Sequence, residues 1–409
     1  MVGMEMTAHK TIEHAIRHPV ESGQLAGAAA LVWRDGEVHE TVTVGRRDLT
    51  SGLPVERDTI FRIASMTKPV TTVAALMLLD EGRFALDDPI AICAPELTRM
   101  RVLLDPEGPL DATESATRPI SFRDLLTHRS GLTYSEFHRG PIGSAYAEAL
   151  GTQIDNHLAP DEWIARLSTL PLIDQPGTRF RYSGSTDLLG FLIARLEGAP
   201  LSSVLARRIF EPLDMRDTGF VVPREKRDRR AGLCGFDDEG RLTGLTAAPG
   251  RHALDERPDD MTFESGGQGL WSTLDDYLAF ARMLIGEAAG GVTLLRPETL
   301  AMMTTNQLTT AQRADARMFG RPIFAVGHGY GMGVAVVMEP DKADPLRCRG
   351  GAGTIGWPGA YGSWWQADPT CRSVLIFLSH NMLELRQMAR GIGLGAWSAI
   401  ASFHAIATS

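Results

Sequence analysis

The order of its secondary-structure signals predicts an α/β (α+β) fold, with an antiparallel sheet flanked by helices and an inserted, mainly helical domain. Three observations lead there. Strand-like apolar runs occur near both ends of the chain, at residues 27–44 and 330–379. Helix-like segments cut by loops fill the interval between. One helix, following Ser65, is apolar nearly all round, which is the pattern of a segment buried at the centre of a domain. The 409 residues suffice for a large core and more than one compact region. The expected organisation is a discontinuous α/β domain of residues 1–90 and 226–409, a helical domain of residues 91–225, and an active site between them.

Taken in order, residues 8–22 read as a surface helix. Gly27–Trp33 and Val38–Val44 flank Asp35-Gly36, the signature of a hairpin. The Ser65 helix carries Val70, Val73, Ala74 and Leu76–Leu79, tolerates Pro69 near its first turn and ends at Gly82. Residues 122–128, 159–170, 187–197 and 201–210 read as helices, and 135–150 as a loop near the site. The Arg-, Asp-, Gly- and Pro-rich stretch 223–262 reads as a long connection. Thr273–Ile285 reads as a helix with Ser272/Asp275 or Thr273/Asp276 as its capping pair. Strands are expected at 330–338, 362–366 and 373–379, and a last helix at 382–402.

Composition narrows the function. Hydrophobic residues are 44% and charged residues 22%, as in ordinary globular proteins. A formal charge of −9 disfavours nucleic acid and anionic membranes as partners. Cys93, Cys234, Cys348 and Cys371 lie far apart, so reduced, buried thiols are expected rather than a zinc site or disulfide framework. Residues 1–23 lack an apolar signal core, and no run is long enough to span a bilayer; a cytoplasmic location is the expectation. No metal or cofactor is expected, and oligomeric state is left open.

The chemistry concentrates in three segments. Ser65-Met66-Thr67-Lys68 sets a hydroxyl and an amine one turn apart on one helix face. A partly desolvated lysine can take a serine's proton and make it a nucleophile. Free N–H groups at a helix start suit the oxyanion that follows. In Arg181-Tyr182-Ser183-Gly184, Tyr182 either packs and bonds a backbone group or exchanges a proton with Ser65 under the influence of Lys68. In Gly356-Trp357-Pro358-Gly359-Ala360-Tyr361-Gly362, the glycines serve either a tight turn into a strand or a close approach that makes the Ala360 N–H a second oxyanion donor beside that of Ser65. The chain has no Gly-x-Ser-x-Gly elbow, no His-Glu-x-x-His and no phosphate loop. His128 and His138 flank a loop and are expected to be structural or solvated.

Together these segments resemble the serine β-lactamase and penicillin-binding-protein superfamily, and within it the family VIII carboxylesterases, which share the class C β-lactamase fold. The likeness spans residues 25–385 and includes Thr59–Pro69, Glu81–Pro89, Leu125–Tyr134 and Gly266–Thr273. It implies Ser65 as nucleophile, Lys68 as its activator and Tyr182 as the tyrosine of the second motif. Gly184 stands where lactamases carry an asparagine, and Trp357-Pro358-Gly359 resembles the Trp-x-Gly that these esterases carry in place of Lys-Thr-Gly. Both departures favour a neutral small-molecule ester over a penicillin. Tyr134, Trp357 and Gly359 are implied to line the substrate site. The expected activity is hydrolysis of short-chain carboxylic esters through an acyl-Ser65 intermediate. Alternatives on the same scaffold are a β-lactamase, an amide hydrolase or an acyltransferase; a non-catalytic ligand-binding protein is a fourth.

Overall fold

The computed structural model describes residues 11–138, 140–247, 253, 254, 257, 258, 260–318, 320–324, 326–343, 349–382, 384, 387, 388 and 390–408. A seven-stranded antiparallel sheet is built from β1 (Gly27–Arg34), β2 (Glu37–Gly45), β3 (His328–Tyr330), β4 (Ala335–Val337), β5 (Ile355–Gly359), β6 (Ser363–Asp368) and β7 (Ser373–Ser379). Its order is β3-β4-β5-β6-β7-β1-β2, so the last strand in the chain lies beside the first. The β1–β7 register runs from Ala28 opposite Ser379 to Arg34 opposite Ser373. Strands β1, β6 and β7 are buried almost throughout and read as near-continuous apolar runs, because helices cover both faces.

On one face pack α1 (Ile12–Glu21) and the C-terminal helix α11 (Gly395–Ala407), which enclose Ile12, Ile16, Ala30, Trp364, Phe377 and Phe403. Residues 11–22 are therefore more than a surface helix: Ile12 and Ile16 are buried. On the other face lies a larger cluster joining Leu31, Trp33, Trp365 and Ile376 of the sheet to the helices between the strands. These are α2 (Thr67–Asp80), α3 (Phe122–Leu126), α4 (Pro141–Leu150), α5 (Pro160–Leu167), α6 (Ser185–Glu197), α7 (Leu201–Leu205), α8 (Leu274–Leu284), α9 (Pro297–Met303) and α10 (Thr310–Asp315). The all-apolar α2 is buried along nearly its whole length, as its sequence predicts.

Several expectations change. Residues 141–150, read as loop, form α4, which Pro141 starts at a position where its missing N–H costs nothing. The supposed connection 223–262 contains a hairpin, Leu233–Phe236 with Leu242–Leu245, closed by Asp237 accepting from the N–H groups of Glu239 and Arg241. The run 330–338, expected as one strand, holds the end of β3, a turn at 331–334 with Gly333 at φ 75°, and then β4. Of the last helix expected at 382–402, residues 383, 385, 386 and 389 lie outside the described residues, and the C-terminal helix runs Gly395–Ala407. Thr273 is the N-cap of α8, its side chain accepting from the Asp276 N–H at 3.2 Å. Among the described cysteines only Cys234 is buried; Cys93 is half-buried and Cys371 exposed in the β6–β7 turn, and Cys348 lies outside the described residues. Among the described residues no single helix is long and apolar enough to cross a membrane.

Candidate active site

Ser65 lies on a 3-10 turn, Ala64–Met66, that runs straight into α2. Ala64 has φ 43°, a left-handed conformation that costs a residue with a Cβ roughly 1–2 kcal/mol. Neighbours hold the turn in place. The Ile63 N–H donates to the Leu270 carbonyl at 3.0 Å, the Leu270 N–H to Thr67 Oγ1 at 3.1 Å, and the Tyr277 hydroxyl to the Met66 carbonyl at 2.9 Å.

Lys68 follows on the same face and is fully buried. Its Nζ is 3.4 Å from Ser65 Oγ, 3.4 Å from the Tyr134 hydroxyl and 2.9 Å from the Gly267 carbonyl oxygen. The Tyr182 ring lies alongside, its centroid 4.6 Å from Nζ, within cation–π range. Ser65 and Lys68 thus lie together, with the Tyr182 ring beside the amine, but the phenol hydroxyl within 3.4 Å of Nζ is that of Tyr134. Ser65 itself is 8% exposed.

Tyr182 accepts a hydrogen bond from Trp357 Nε1 at 3.0 Å, and its ring packs on His128, Trp357 and Tyr134 with centroids 4.9, 5.3 and 5.9 Å apart. His128 has φ 52° and is buried, with Nδ1 3.3 Å from Ser183 Oγ. Burial first, and the Lys68 charge second, hold its pKa well below the usual imidazole value, so it is a neutral wall for Tyr182. This agrees with a structural role for His128. His138 is half-buried in the next loop.

The Trp-Pro-Gly segment is the end of β5, hydrogen-bonded to β6. A Cβ at Gly359 would sit 2.6 Å from the Ile63 carbonyl oxygen, so only glycine lets this strand end close on the Ser65 turn. Ala360 packs in the same small cluster as Ala64. No hydrogen bond from the Ser65 or Ala360 N–H is found among the described residues.

Sequence reasoning passed over two residues of the site. Asp187, in the first turn of α6, is 3% exposed and accepts from the Tyr134 hydroxyl at 3.1 Å, the Ser265 hydroxyl at 2.5 Å and the Gly267 N–H at 3.0 Å. Burial raises its pKa, while Lys68 and these hydrogen bonds pull the other way. Burial, then the Asp187 charge, push the Tyr134 phenol well above its ordinary value, so Tyr134 keeps its proton and donates it to Asp187. Gly267 is the second, through its backbone carbonyl. A Cβ there would meet Asp187 Oδ2 at 2.7 Å, the physical reason for glycine in Ser265-Gly266-Gly267. Half-buried Phe137 completes the aromatic wall, its centroid 5.5 Å from Tyr134 and 6.1 Å from Tyr182.

Residues 12–394 match the Beta-lactamase family. The chain belongs to that family. Among curated relatives of this beta-lactamase-family chain, Protein Rv1367c of Mycobacterium tuberculosis (strain ATCC 25618 / H37Rv) is 44% identical over 91% of this chain and 90% of its own length. Esterase EstB of Burkholderia gladioli is 33% identical over 88% and 87%. Among solved structures, EstCE1, described as a hydrolase with promiscuous acyltransferase activity, superposes with a TM-score of 0.75 at 24% identity, covering 95% of this chain and 97% of its own. At that identity the likeness establishes the fold.

Proposed function

We propose that this chain is a carboxylesterase acting on small, neutral esters. One observation carries the reading: Ser65 Oγ stands 3.4 Å from a buried lysine amine one helical turn away. Lys68 takes the Ser65 proton as Oγ attacks the ester carbonyl carbon. The carbonyl π pair moves to oxygen and is held by the N–H groups of Ser65 and Ala360. Collapse breaks the bond to the alcohol oxygen, which leaves with a proton delivered through Tyr182. Water then adds to the acyl-Ser65 carbonyl, giving its proton back through the same groups, and the acid departs.

Two features favour an ester over a β-lactam. By the resemblance, Trp357 stands where lactamases carry a lysine, and here its indole donates to the Tyr182 hydroxyl, while Gly184 offers no side-chain amide. The esterase relative EstB supports the same choice. An alcohol in place of water at the second step would give acyl transfer from the same intermediate. Turnover of p-nitrophenyl butyrate, nitrocefin and an added acyl acceptor separates these activities. Ser65→Ala is expected to abolish ester turnover, and near-normal activity in that variant would overturn the proposal. Lys68→Ala is expected to lower kcat/KM by about a thousandfold or more.

A further inference from the structure

We propose that Asp187 is a positioning residue for Lys68: acting through Tyr134, it leaves the amine's lone pair facing Ser65 and favours the proton that Lys68 receives. The inference rests on Ser65 being the nucleophile. A neutral amine has two N–H donors and one lone pair. The Gly267 carbonyl, 2.9 Å from Nζ, can only accept. The Tyr134 hydroxyl could donate or accept, but its proton is committed to Asp187 Oδ2 at 3.1 Å, so it too presents only lone pairs to Nζ. Both N–H groups are thereby assigned. The lone pair falls to the remaining neighbour, Ser65 Oγ.

Without Asp187, Tyr134 could turn its O–H toward Nζ and occupy that lone pair. Proton transfer breaks the Ser65 O–H bond and forms an N–H bond on the same vector. The resulting ammonium then has an acceptor for each of its three hydrogens. Ionised, Asp187 can accept from the Tyr134 hydroxyl, the Ser265 hydroxyl and the Gly267 N–H at once. Its charge is one hydrogen bond removed from the amine, in a water-excluded setting where charge acts strongly. The other titratable groups facing Lys68 are Tyr182, neutral His128, and Glu136 in the turn after Tyr134. Among the described residues, Asp187 is the carboxylate tied to the amine through a shared hydrogen-bond partner, Tyr134.

The test follows Ser65 phosphonylation by a fluorophosphonate probe across pH, read by intact-protein mass spectrometry. It covers the unmodified protein, Asp187→Asn, Asp187→Glu and Tyr134→Phe. This readout needs no knowledge of the ester. In Asp187→Asn, labelling at neutral pH is expected to slow by about tenfold or more. Its acid limb should move to lower pH by about one unit, because a base deprived of a nearby negative charge sheds its proton more readily. Tyr134→Phe should move the limb the same way. Asp187→Glu, which keeps the charge, should leave the limb in place even at a reduced rate. An Asp187→Asn protein that labels normally, or slowly with an unmoved limb, overturns the proposal and makes Asp187 merely structural. Should Asp187→Asn fail to fold by circular dichroism, an unmoved limb in Tyr134→Phe overturns it instead. Absence of labelling in the unmodified protein would sink the nucleophile assignment itself, a separate failure.

Discussion

Gly359 and Trp357 stand two positions apart on one strand and act on the site in different ways. Gly359→Ala would put a methyl carbon 2.6 Å from the Ile63 carbonyl oxygen, closer than such contacts allow. The strand end and the Ser65 turn must separate. Since small displacements of reacting groups are costly, kcat/KM is expected to fall by about tenfold to a hundredfold, with a lower Tm. Steady-state kinetics beside a thermal melt would check this, and unchanged kinetics would refute the close-approach argument. Trp357→Phe keeps a ring but removes the donor to Tyr182. Its expected effect is a drop in kcat of about tenfold with a stability loss of about 1 kcal/mol, measured by urea unfolding. Both were named from the sequence through the resemblance of Trp357-Pro358-Gly359 to the Trp-x-Gly of the esterases. Asp187 was not. An acid in the first turn of a helix is sufficiently explained by the helix dipole, so nothing in Ser185–Glu197 signals that the side chain points inward to Tyr134.

Among the elements, legibility followed apolar content and length. The hairpin β1–β2, helix α2 and helix α8 announce themselves by periodicity and end signals. The 233–245 hairpin does not. Its strands are four residues each, one of them, Leu242–Leu245, is only half-buried, and the Asp-, Arg- and Gly-rich sequence around them reads as a loop. The capping pair of α8 offers a direct check on element stability. Thr273→Ala deprives the Asp276 N–H of its acceptor, and a loss of about 1 kcal/mol is expected in urea unfolding. Because Tyr277 on the same helix anchors the Met66 carbonyl through 2.9 Å, a helix that frays at its start should also slow the enzyme modestly, by about twofold. A fully active protein with unchanged unfolding midpoint would show the cap to be idle.

For the whole molecule, the groups buried in unfavourable ionisation states set the response to acid. Burial pulls His380 and His404 down to about 4 from 6.5, and His128 lower than its usual value as well. The unfolded chain therefore binds these protons at a pH where the folded chain refuses them, and stability falls as pH drops from about 6.5 toward 4. Asp276, pushed up to about 6 by burial, works in the opposite sense across nearly the same interval, since its folded form keeps a proton that the unfolded form has released. Asp187 and Glu136, also raised by burial, act with Asp276; against them stand the three histidines and carboxylates such as Glu197 and Glu96, held below their usual range by Arg208 and Arg195, and the balance is a net loss. Tm at pH 4.5 should lie below that at pH 7, and His380→Gln should narrow the gap; a flat profile in the unmodified protein would contradict these burial effects.

The pairing of β1 with β7 carries a consequence for biosynthesis. Arg34 must wait for Ser373 before the sheet can close around it. At the usual pace of about 5–20 residues per second, the ribosome leaves the apolar Gly27–Arg34 strand without its partner for roughly 20 to 70 seconds. Nascent chains stalled before β7 emerges should thus be cut by protease near residue 30, and released chains should resist. Protection of the stalled form would mean that this strand finds shelter by another route during translation.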